Sequence, residues 1–137
     1  MHLSLQQVND LITGIGLAAE LPASAPELRR FVDIHGYELD DQGVSQRLSR
    51  AICQDKKCTA LFQIRDYEID ASYIENHWDA DKDACVSYTC ISNLRGISEA
   101  EAELSKHLSD FSLLVPEWDC DNPLYYKSNH MNRRNLT

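Results

Sequence analysis

Residues 58–70, CTALFQIRDYEID, decide how this chain is read. The run is rich in aromatic and branched residues, and its later half alternates with the two-residue period of a β-strand. Side chains along a strand point to opposite faces in turn, so Asp66, Glu68 and Asp70 fall on one side of it. A second run of the same character, ACVSYTCI at 84–91, predicts a companion strand. The stretch between them, SYIENHWDADKD at 72–83, is too long for a tight hairpin and predicts one helical turn followed by an acidic loop.

Helix starts are sought where a serine is followed three residues later by Glu or Gln, because the two side chains then satisfy backbone N–H groups left free at a helix N-terminus. Four such boxes occur: Ser4/Gln7, Ser24/Glu27, Ser72/Glu75 and Ser98/Glu101. The first opens a helix with Leu5, Val8, Leu11, Ile12 and Ile15 at helical spacing, stapled by Leu3 against Val8 and ended by Gly14 and Gly16. The second predicts a short helix from about Pro26 to Ile34, with Leu28, Phe31 and Val32 inward and His35-Gly36 as its stop. A third is expected from about Gly43 to Cys53, with Asp41 as N-cap, Val44, Leu48, Ala51 and Ile52 as its buried stripe, and Arg47 and Arg50 outside that stripe. The last is expected from about Glu99 to Leu114, its acids in the first turn, Leu104, Leu108, Phe111 and Val115 inward, and Pro116 as its stop. The fold class that follows is α+β. One small domain over residues 1–121 packs amphipathic helices against a short antiparallel sheet. The strands at 58–70 and 84–92 pair, Gly36–Leu39 completes the sheet, and 122–137 form an extended, partly flexible arm.

At 137 residues, 43% hydrophobic and 26% charged, the chain is long and apolar enough to bury a core without disulfides or metal. The N-terminal stretch MHLSLQQVNDLITGIG has no basic n-region and no unbroken apolar run, which predicts a cytoplasmic protein with no membrane span. Cys53, Cys58, Cys85, Cys90 and Cys120 are an odd set, expected to be reduced. The net charge of -9 repels nucleic acid and anionic membranes at long range, so direct nucleic-acid binding and membrane binding are both disfavoured. That charge is unevenly spread. Between residues 66 and 121, fourteen acids stand against Lys82, Arg95 and Lys106, a local charge of -11, whereas residues 29–65 are slightly basic.

Each candidate chemistry meets an obstacle in the residues themselves. Two C-x4-C pairs, CQDKKC and CVSYTC, suggest zinc with His77 or His107 in reserve, but positions five apart on a strand face opposite sides. The loop Asp79-Ala80-Asp81-Lys82-Asp83 opens like an EF-hand, yet Ala84 stands where the turn needs glycine and Cys90 where a bidentate glutamate belongs. No metal or other cofactor is therefore expected. Thiols and the histidines His2, His35, His77, His107 and His130 supply nucleophiles and bases in principle, but no nucleophile elbow, phosphate loop or dinucleotide glycine pattern appears, and no catalytic residue is assigned. Residues 26–52 followed by two strands have the order of a winged helix with Arg47 and Arg50 on the recognition helix. The would-be wing is acidic, which a phosphate contact disfavours.

The acidic segment carries the functional expectation. Asp66, Glu68, Asp70, Asp79, Asp81 and Asp83 are expected to form a partner-binding surface for a basic protein, such as the nucleic-acid channel of a nuclease or another nucleic-acid enzyme. Immunity proteins and phage-encoded inhibitors of nucleic-acid enzymes are similar in size and charge, in those general respects alone. A non-catalytic inhibitor or immunity-type module is the leading reading. The alternatives are an acidic homodimeric chaperone of a secreted effector, which would bind an extended client in apolar grooves, and a winged-helix-like DNA-binding regulator.

Overall fold

The computed structural model describes residues 1–48 and 60–124 of the chain. Helix α1 (Leu5–Ile12) leads into strands β1 (Leu17–Leu21), β2 (Leu28–Leu39), β3 (Ser45–Arg47) and β4 (Leu61–Asp70). The single turn α2 (Ser72–Glu75), strand β5 (Cys85–Arg95), helix α3 (Gly96–Leu104) and the short strand β6 (Val115–Pro116) follow, with 3-10 turns at Lys82–Ala84, Phe111–Leu113 and Glu117–Asp119. The strands form one antiparallel sheet in the order β5-β4-β2-β1-β6, and β3 pairs with the C-terminal end of β2. The α+β class expected from the sequence is the class found. No helix among the described residues is long and apolar enough to cross a membrane.

Both faces of the sheet are covered, and strand alternation decides which residue goes where. Leu17 and Ala19 of β1, Val32 and Ile34 of β2, and Phe62 and Ile64 of β4 point to one face. There they meet Leu11 of α1, Ala100 and Leu104 of α3, and Leu108, Phe111 and Leu114 beyond it. Phe31, Tyr67 and Ile69 point to the opposite face and build a second core with Ala80 and Leu124. The first helix starts as its capping box requires: Ser4 Oγ accepts from the Gln7 N–H and Gln7 Oε1 from the Ser4 N–H. The Gln7 amide also donates to the Phe111 and Leu114 carbonyls, tying the helix start to the chain that covers the same face.

Four local expectations are corrected. Pro26–Ile34 is not helical; it belongs largely to β2, the central strand, which pairs with β1 and with ten consecutive residues of β4. Buried on both faces, β2 lacks the in-out alternation that marks a half-buried strand. The described part of the expected helix from Gly43 is a hairpin into β3, in which Asp40, rather than Asp41, caps the turn through the Gln42 and Val44 N–H groups, with Gly43 at φ 77. Residues 49–59 lie outside the described residues. The last helix runs Gly96–Leu104 rather than to Leu114: Ser98 does not cap it, and Glu101 reaches instead to the Leu3 N–H. The Ser72/Glu75 pair sits inside a turn that does form, where Asp70 rather than Ser72 supplies the accepting oxygen. The expected pairing of the strands near 58–70 and 84–92 is present as β4 and β5, and Gly36–Leu39 is the end of β2. Of the expected arm, residues 125–137 lie outside the described residues, and Leu124 is buried in the second core.

Candidate binding face

The second core fixes where the acidic loop lies. Phe31, Tyr67 and Tyr88 carry a row of rings across β2, β4 and β5, with centroids 5.8 Å and 6.4 Å apart. Tyr73, Ile74, Ala80 and Ala84 close over this row from the segment that follows β4, and Cys120 and Leu124 from the segment that follows β6. Both covering segments are thus held on one face of the sheet, and each carries a half-exposed tryptophan, Trp78 at 52% and Trp118 at 50%. Trp78 packs edge-on against Tyr73, 5.5 Å between centroids, which orders the ring without burying it. Asp79, Asp81 and Asp83, which follow it in the chain, are exposed, as are Asp119 and Asp121, which follow Trp118. Asp81 Oδ1 accepts the Asp83 N–H and so starts the 3-10 turn Lys82–Ala84. A shallow cavity of about 330 Å³ is lined by Tyr73, Asp79, Ala80, Asp81, Asp83 and Ala84.

Two arginines anchor this face from below. Arg65 pairs with the fully buried Asp33 at 2.6 Å and donates to the Leu124 carbonyl at 2.5 Å. Arg29 forms a two-pronged pair with Glu20 at 2.7 and 2.6 Å, reaches Asp121 at 3.1 Å, and lies over the Phe31 ring. His35, beside Tyr37 on the same side of β2, is kept neutral: burial, with Arg65 nearby, pushes its imidazole down to about 3.

The structure divides the six acids singled out by the sequence. Asp66 and Glu68 do share a face, as alternation requires, but it is the helix-covered one. Asp66 accepts two N–H bonds from Arg30, at 2.9 and 2.7 Å, and lies 2.8 Å from His107 Nδ1. His107 Nε2 in turn stands 3.4 Å from Glu103 on α3, and Arg30 also donates to the His107 carbonyl. Burial opposes ionisation of Asp66, but the bonds from Arg30 and His107 outweigh it and hold the carboxyl below the usual carboxylate range. The Glu68 carboxylate accepts the Ser24 hydroxyl at 2.6 Å and its N–H at 3.2 Å. Asp70 Oδ1 accepts the Ser72 hydroxyl and N–H, which lower its pKa. These three acids are engaged in tying elements together. Asp79, Asp81 and Asp83 lie with the loop on the other face and line one cavity with Tyr73, the ring on which Trp78 packs.

Sequence reasoning missed the tryptophans, although each sits in an acid-rich stretch, His77-Trp78-Asp79-Ala80-Asp81 and Glu117-Trp118-Asp119-Cys120-Asp121. A large ring in so polar a setting is the signal that was legible. It also missed Arg30 and His107 as partners of Asp66, which only the tertiary fold brings near.

Cys85, Cys90 and Cys120 are free thiols, and Cys53 and Cys58 lie outside the described residues. Among the described residues no group of three or more His, Cys, Asp or Glu side chains is arranged to hold a metal ion. No protein-family model matches the chain, and comparison with curated proteins and with solved structures found no match.

Proposed function

We propose that the chain is a protein-binding module of the inhibitor or immunity type, and that the face carrying Trp78 and the loop Asp79–Asp83 docks on a basic surface of a partner protein. The observation that supports this most is the conjunction at Tyr73: on it packs the Trp78 ring, 52% exposed, and with it three exposed carboxylates, Asp79, Asp81 and Asp83, line one shallow cavity, in a loop whose single lysine is Lys82. Tryptophan is among the residues that most often dominate binding energy when it enters a partner's pocket. Surrounding carboxylates draw a basic surface in at long range and set its orientation. A cationic side chain can also lie against the indole face while pairing with Asp79 or Asp81. The nucleic-acid channel of a nuclease or related enzyme has that chemistry.

The test uses the full chain as bait for the heparin-binding fraction of its host's lysate, loaded at low salt and released at high salt. Reversal of Asp79, Asp81 and Asp83 to lysine is expected to abolish capture of the bound protein, and Trp78→Ala to weaken it at least about tenfold. A control with equal net charge, Glu27→Lys, Asp41→Lys and Glu99→Lys, alters exposed acids elsewhere and is expected to retain capture. Equal loss in both triple variants would mean that net charge alone acts, and the reading would be wrong.

A further inference from the structure

We draw no further inference here: the strongest candidate, the shallow cavity where Tyr73 meets Asp79, Asp81 and Asp83, belongs to the docking face already proposed, and nothing beyond its cluster of carboxylates points to a ligand.

Discussion

Replacing Asp66 by asparagine should destabilise the protein without touching the face that carries Trp78 and the Asp79–Asp83 loop. Arg30 and Asp66 are 29% and 16% exposed, so their pair lies between two regimes. Fully exposed pairs contribute about 0–1 kcal/mol, and removing one partner of a buried pair costs about 3–5 kcal/mol. An intermediate cost of about 2 kcal/mol follows. For a chain of this length it lowers the melting temperature by about 6 °C. The perturbation is local first: His107, which carries the chain away from α3, loses its charged acceptor, so amides near Leu104–Leu108 should exchange faster before the rest. Thermal unfolding followed by circular dichroism reads the first effect, with Asp79→Asn as the exposed comparison, expected within about 0.5 kcal/mol of the parent. A double-mutant cycle with Arg30→Met should return a coupling of about 1–2 kcal/mol. The pH dependence has a definite sign. A carboxyl lowered in the folded state stabilises above its unfolded pKa of about 3.9, and that contribution is lost as pH falls through the lower folded value. If Asp66→Asn melts with Asp79→Asn, or the coupling is below about 0.5 kcal/mol, Asp66 is not the tie described here.

Gly16→Ala should cost about 1–3 kcal/mol, because a Cβ there would lie 2.5 Å from the buried carboxyl carbon of Glu117; an unchanged melting temperature would refute this. Alkylation at pH 8 with peptide mapping should label Cys90 before Cys85 and Cys120, since burial pushes the Cys85 thiol up to about 11 and raises that of Cys120, whereas Cys90 is exposed. Labelling of Cys85 at the rate of Cys90 would contradict that. Burial also raises the phenols of Tyr67 and Tyr88, so their neutral forms stabilise the fold below the unfolded pKa of about 10 and the contribution falls as pH rises above it. Ultraviolet titration should find Tyr67, the fully buried phenol, ionising only as the protein unfolds, and its ionisation before unfolding would show that the second core admits water.

The outer part of the sheet was legible because β4 and β5 carry β-branched and aromatic residues between clear loop signals, and α1 because its capping box forms as written. Strand β2 was not. Arg29, Arg30 and Asp33 read as the polar side of a helix because nothing local reveals that each meets a carboxylate or guanidinium from elsewhere in the chain. Phe31 beside Val32 fits a helical stripe as well as it fits two opposite cores. The candidate site was half legible for a related reason. Alternation shows that Asp66 and Glu68 share a face and says nothing of which layer covers it. The exposed acids of Asp79–Asp83 needed no tertiary partner to be recognised as a solvated loop.

The ion pairs on the two faces of β2 and β4 also bear on how the chain finds its fold. Asp33 stands opposite Arg65 on one face, and Arg30 reaches diagonally to Asp66 on the other, where Val32 is the residue directly across. A slip of one residue would set Asp33 against Ile64 or Asp66, burying a carboxylate beside hydrocarbon or beside its like. Hydrophobic pattern alone discriminates poorly here, since both faces of β2 are apolar and a shifted strand would still bury large side chains. The charged pairs supply that discrimination, a proofreading step in which only one alignment satisfies both faces at once. Folding of a variant with Asp33 and Arg65 both replaced by leucine should therefore lose fidelity before it loses compactness, populating misaligned sheets that must reopen before the native one can form.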